Sequence, residues 1–122
     1  VSEKISEAEL VVMEALWETA PQTANDVSDR VATTRDWSLQ TVKTLLSRLM
    51  AKDIIAADQD GRRFLYRPIV PRDEYVAGES GRLVNRLFGG RVSPLVAQLA
   101  QQDQLTADDI AELEAILKGL KS

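Results

Sequence analysis

Trp37-Ser38-Leu39-Gln40-Thr41-Val42-Lys43-Thr44-Leu45-Leu46-Ser47-Arg48-Leu49 carries the cleanest amphipathic pattern in the chain. Ser38 is a helix N-cap residue, whose hydroxyl can accept from an orphan amide of the first turn. Val42, Leu45, Leu46 and Leu49 fall on one stripe of a helix running from Leu39 to about Lys52. Gln40, Lys43, Thr44, Ser47 and Arg48 spread over the opposite side. One side is therefore made to be buried, and the other to face water or a polar partner.

Upstream, two shorter helices are announced in the same way. Ser6 with Glu9 three residues later is a capping box, and Leu10, Met13, Leu16 and Trp17 then recur at helical spacing until Pro21 stops the run. Thr23 with Asp26 repeats the signature and opens a short helix with Ala24, Val27 and Val31 inward. Downstream, the period changes. Ile54 to Asp58 reads as a strand, Gln59-Asp60-Gly61-Arg62 as a turn, and Arg63 to Ile69 as a return strand. The Asp60-Gly61 pair carries this hairpin, because glycine reaches positive φ without steric cost. Phe64 and Tyr66 alternate with Arg63, Leu65 and Arg67.

Pro68 and Pro71 punctuate the chain, and a domain boundary is expected near Val70. Residues 71–122 read as three helices. The first spans 72–88, with Val76, Leu83, Leu87 and Phe88 as apolar anchors, and Gly89-Gly90 stops it. Ser93-Pro94 predicts an N-cap followed by proline at the first helical position, with Leu95, Val96 and Leu99 as a short apolar face. Thr106 with Asp109 caps the last helix, in which Ile110, Leu113, Leu117 and Leu120 recur.

The order of three helices followed by a hairpin is that of a winged helix-turn-helix, a mainly α fold with a two- or three-stranded β wing. The expected organisation is a winged-helix domain over residues 1–70 and a three-helix dimerisation domain over 71–122. In this fold the second element of the helix-turn-helix enters the major groove and the hairpin reaches flanking backbone. Gln40 suits an adenine edge, Lys43 guanine or phosphate, and Thr44 a thymine methyl or phosphate. Ser38, Thr41 and Ser47 complete the candidate surface, Arg48 and Lys52 are expected on phosphate, and Arg62 and Arg63 sit at the hairpin tip.

Charge supports this only after it is divided along the chain. The 122 residues carry a formal charge of −4. Residues 1–29 hold one base against seven acids, whereas residues 38–67 hold six bases against three acids. A local basic face binds phosphate whatever the total. The acids of the first helix would repel DNA, so they are expected to face away from it. The plainer reading is that such a polar face is solvated surface. The element order and the concentration of bases on one helix and one hairpin argue against it.

Other classes of function are narrowed by what the chain lacks. It contains neither cysteine nor histidine, which removes disulfides, thiolate and imidazole metal sites, and nucleophiles that need a histidine base. No apolar run approaches the roughly 18 residues of a membrane span and no signal-peptide pattern opens the sequence, so a cytoplasmic protein is expected. Asp108, Asp109, Glu112 and Glu114 are better explained by capping and the helix dipole than by a hard cation. No enzyme, cofactor or metal is expected. The apolar surplus beyond residue 71 exceeds what three helices of one chain bury. A second copy is the economical partner through Leu83, Leu87, Phe88, Leu95, Val96, Leu99, Ile110, Leu113, Leu117 and Leu120, the alternative being that these helices fold back on the first domain.

Glu9-Leu10-Val11-Val12-Met13 with Trp17, the Trp37–Leu49 stretch, Lys52, Tyr66, Gly89-Gly90 and the Leu105-Thr106-x-Asp108-Asp109-Ile110-x-Glu112-Leu113 helix together resemble the penicillinase-repressor family of the BlaI/MecI/CopY type. The likeness covers nearly the whole chain. It implies a homodimeric transcriptional repressor that binds a dyad operator built around TACA/TGTA. In the antibiotic-resistance branch it implies a membrane sensor, acylated by a β-lactam, that triggers cleavage within the dimerisation domain. The family's cleavage position, typically Asn-Phe, falls at Gln98-Leu99 here. The cysteine cluster of the copper-responsive branch is absent from this sequence. A winged-helix module that binds protein without reading DNA is the alternative function.

Overall fold

The computed structural model describes residues 4–121. The elements are α1 (Glu7–Glu18), α2 (Ala24–Val31), α3 (Leu39–Ala51), β1 (Ile55–Asp60), β2 (Arg63–Pro68), α4 (Arg72–Phe88), α5 (Val92–Gln101) and α6 (Ala107–Lys121). The chain divides after Val76 into two compact units.

In the first unit the helices begin where local chemistry places them. The Glu9 amide donates to Ser6 Oγ at 3.1 Å and the Ser6 amide to Glu9 Oε1 at 2.8 Å. Thr23 and Asp26 repeat this reciprocal arrangement at 3.1 Å in both directions. α1, α2 and α3 then close around one apolar core that includes Val12, Met13, Leu16, Val27, Val31, Val42, Leu45, Leu46 and Leu49. The whole predicted stripe of α3 is buried, and each such side chain contributes about 1.5–3 kcal/mol by leaving water. Leu10 and Trp17, expected on the α1 stripe, lie half-buried at the core's edge. Trp17 sits there because its indole N–H needs a partner, and it donates to Val70 O at 2.9 Å.

The hairpin is tighter than its sequence predicts. Asp60 pairs with Arg63, so only Gly61 and Arg62 form the turn, and Gly61 takes φ +67 to close it. A third stretch joins the sheet: Gln22 bridges Tyr66, with Gln22 N to Tyr66 O at 3.0 Å and Tyr66 N to Gln22 O at 2.7 Å. The Gln22 side-chain amide also donates to Ala15 O and Thr19 O, satisfying carbonyls at the end of α1. The wing is thereby stitched to the α1–α2 connection.

The first turn of α4 packs with this unit. Tyr75 is buried, its ring 5.7 Å from that of Trp17, and Arg72 donates to Glu14 at 2.8 Å. The boundary expected near Val70 precedes this turn, and the compact units meet within α4.

In the second unit α4 runs to Phe88 and ends at Gly89 and Gly90, both at positive φ, with the Gly90 amide donating to Val84 O at 3.1 Å. α5 corrects the sequence-based start. It begins at Val92 with Arg91 as N-cap and no side-chain capping bond, so Ser93 is not the cap and Pro94 is not the first helical residue. The amides of a first turn have no intrahelical partner, so proline is accepted at several positions there and does not mark the first one. Thr106 and Asp109 cap α6 reciprocally at 3.1 Å, as expected. Neither α5 nor α6 buries a described residue. Among the described residues, no helix is long and apolar enough to cross a membrane.

Candidate nucleic-acid interface

Burial of Val42, Leu45, Leu46 and Leu49 turns the opposite side of α3 outward, and Gln40, Lys43, Thr44, Ser47 and Arg48 are all exposed there. Their polar groups are not equally free. Ser38 Oγ accepts from the Thr41 amide at 3.2 Å and lies 3.1 Å from Thr41 Oγ1, so both hydroxyls serve the helix start. Thr44 Oγ1 donates to Gln40 O at 3.0 Å, which commits its proton and leaves its methyl and its acceptor lone pairs to a partner. Among the described residues, Lys43 and Arg48 make no ion pair.

Lys52, expected on phosphate, has its ammonium engaged within the first unit. Its ammonium donates to Glu9 Oε1 at 2.7 Å and to Lys4 O at 2.8 Å. The reason is the burial of Glu9, which is only 1% exposed and needs a counter-charge. Burial pushes the Glu9 carboxyl up, but the hydrogen bond from Lys52, the Ser6 amide and the Lys52 charge together hold it below the usual value of 4.5.

At the wing, Arg62 makes no ion pair among the described residues, whereas Arg63 is held by Asp60 at 3.0 Å and Arg67 by Asp58 at 2.9 Å. The Thr23 amide, then its hydroxyl, hold the Asp26 carboxyl below the ordinary value, with Arg63 and Arg30 adding to the effect. The acids of α1 are largely engaged inside the unit: Glu14 accepts from Arg72, Glu18 from Arg30 and Glu9 from Lys52. Glu9 thus points inward.

A crevice of about 230 Å³ opens between the start of α2, the first half of α3 and the wing. Asn25, Leu39, Lys43, Arg62, Phe64 and Tyr66 are among the residues lining it. Phe64 is 49% exposed and was absent from the sequence-based site. Strand alternation places it on the same side as Tyr66, and that is the signal in the sequence.

The residues expected to join two copies lie mostly open. Leu83, Leu87, Ile110, Leu117 and Leu120 are exposed, while Phe88, Leu95, Val96, Leu99 and Leu113 are half-buried. A groove of about 360 Å³ between α5 and α6 is lined by Val96, Leu99, Leu105, Leu113 and Ile116, among others. Gln98 and Leu99 lie inside α5, Gln98 exposed. No group of acids that could hold a metal ion occurs among the described residues.

The comparisons with known proteins agree in direction. The chain is 33% identical over 119 residues to the penicillinase repressor of Bacillus licheniformis, covering 98% of this chain and 93% of the relative. It is 32% identical to the methicillin resistance regulatory protein MecI of Mammaliicoccus sciuri, over 93% of each chain. Among solved structures it resembles monomeric BlaI of Bacillus licheniformis in complex with the blaP half-operator, with 33% identity and a TM-score of 0.54, covering 62% of this chain and 92% of that one. Residues 5–119 match the penicillinase repressor family, and the chain belongs to that family of transcriptional repressors.

Proposed function

We propose that this DNA-binding repressor works as a homodimer that reads a dyad operator of the TACA/TGTA type. The observation that carries the reading is α3, whose apolar stripe is wholly buried while Gln40, Lys43, Thr44, Ser47 and Arg48 stand exposed together. Those residue types serve base edges and phosphates. Two copies would present two such helices to a two-fold site about one helical turn, or a multiple of it, apart. The exposed Leu87, Leu117 and Leu120 support pairing, since burying them requires a surface that α4, α5 and α6 do not supply to one another. The expected split of labour is DNA reading by the first unit and dimerisation by the second.

Relief of repression belongs to the same reading. Cleavage between Gln98 and Leu99, triggered by a membrane sensor of β-lactams, would separate α6 and its apolar side chains from α4. Because the bond lies inside a helix, the protease needs local unwinding of α5 before it can cut.

Fluorescence anisotropy on a TACA–TGTA duplex against a scrambled one, at two salt concentrations, tests the proposal. Tight binding to the dyad alone, with two chains per duplex and a steep linear fall of log K with log salt, is the expected result. Equal weak binding to both duplexes overturns dyad reading and favours a winged-helix module for a protein partner.

A further inference from the structure

We propose that the crevice between α2, α3 and the wing seats one sugar–phosphate unit of an operator strand, with Lys43 and Arg62 on the phosphate and Phe64 against the deoxyribose. This rests on the reading of the chain as an operator-binding repressor and assigns the place where one strand is gripped.

Three observations lead there. First, three cations line the crevice, but only one of them is answered. Arg63 is paired with Asp60 at 3.0 Å and also acts on the Asp26 carboxyl. Lys43 and Arg62 line the same opening and make no ion pair among the described residues. Two like charges facing one cavity repel each other, and an anion between them turns that cost into attraction. Second, the remaining wall carries an apolar side, beside the polar Thr23 and Asn25. Phe64 is 49% exposed, and Leu39 and Tyr66 continue its surface. A free phosphate has no use for such a wall, whereas a sugar–phosphate offers both anionic oxygens and a carbon-rich ring. A stacked base is not the occupant, because bases in a duplex keep their faces to each other. Third, Lys43 stands on α3 between Gln40 and Thr44, so a strand held in the crevice borders the groove that α3 enters.

The assignment differs from two independent contacts, one by the reading helix and one by a wing arginine in a flanking groove. Lys43 and Arg62 share a single phosphate, and this makes their effects non-additive. The experiment measures dyad affinity across a salt series for the full chain and for Lys43→Met, Arg62→Gln, the double variant and Phe64→Ala. All three positions are exposed, and far-ultraviolet circular dichroism verifies that each variant is folded.

The slope of log K against log salt is expected to fall by about 0.9 in the double variant, the value for one phosphate. Phe64→Ala is expected to lose about tenfold in affinity at unchanged slope, because it removes apolar contact and no charge. In a duplex carrying one neutral methylphosphonate, a single linkage position should cancel the effects of Lys43→Met and Arg62→Gln alike. A slope loss of about 1.8 in the double variant means two separate phosphates and overturns the shared seat. Full affinity in Phe64→Ala overturns the apolar wall. Wild-type chain that ignores duplex DNA at low salt overturns the repressor reading itself, an outcome distinct from a wild type that binds while its variants bind equally well.

Discussion

Lys52 at the C-cap of α3 donates to Glu9 in the first turn of α1 at 2.7 Å, and the carboxylate it reaches is almost wholly buried. Glu9 also closes the capping box of α1 through the Ser6 amide. One carboxylate therefore fixes the start of α1 and the end of α3, the helix proposed to read DNA. A residue whose charge and position suit phosphate thus also serves as an internal tie.

Removing the cation leaves the carboxylate buried without its counter-charge. Lys52→Met is expected to lower unfolding stability by about 2–3 kcal/mol, below the range for fully buried pairs because the Lys52 side chain keeps 28% of its exposure. The salt slope of dyad binding should stay at the wild-type value. Urea unfolding and anisotropy on the same preparation check both halves. A reduced slope with unchanged stability would return Lys52 to the DNA.

The same carboxylate sets an acid limit. The Glu9 carboxyl is held below its ordinary value of 4.5 in the folded chain, so the unfolded chain takes up its proton first as pH falls. The stabilisation is complete above the ordinary value and is lost as pH drops through the lower folded one. Glu9→Gln is expected to be less stable than wild type at pH 7 and to lose less stability than wild type between pH 5 and pH 3, measured by thermal melts across that range.

Thr44 spends its hydroxyl proton on Gln40 O, so it has no donor left for a phosphate, and its contribution to a thymine contact rests on the methyl. Thr44→Val should bind the dyad within about twofold of wild type, and Thr44→Ala should lose about 1 kcal/mol at the site and relax base preference there. Arg48→Gln, by contrast, should weaken dyad and scrambled duplexes alike and reduce the salt slope by about 0.9. Competition with single-base variants of the duplex separates the two patterns.

For self-association, Leu117→Glu is the informative change. Leu117 is exposed on α6, so a charge there costs the single chain little, yet it would be buried between two copies. On the homodimer reading, sedimentation should show a monomer at concentrations where wild type pairs, with a weakened dyad complex and an unaltered core of the first unit.

The sequence is most legible where structure is decided by near neighbours. The boxes at Ser6–Glu9, Thr23–Asp26 and Thr106–Asp109 each join residues three apart, and each forms. Asp60-Gly61 marks the hairpin because glycine's freedom is a property of the residue itself. At α5 the Ser93-Pro94 signal misplaces the start, since proline fits more than one position of a first turn. The Gln22–Tyr66 bridge and the Lys52–Glu9 pair escape because their partners lie 44 and 43 residues away, and no periodicity announces a polar residue's distant mate. The exposed side of α3 is read correctly as a surface, whereas which hydroxyls on it are already engaged depends on the rotamers of Ser38, Thr41 and Thr44.

α5 and α6 bury no described residue within one chain, so on the homodimer reading their ordering and the meeting of two copies are one event. The amount of competent repressor then varies with the square of chain number when dimers are scarce. Halving the number of chains would lower the dimer about fourfold in that regime. Growth that outpaces synthesis would open the regulated gene by dilution alone, and a cell would set the threshold of its response through how much of this chain it makes.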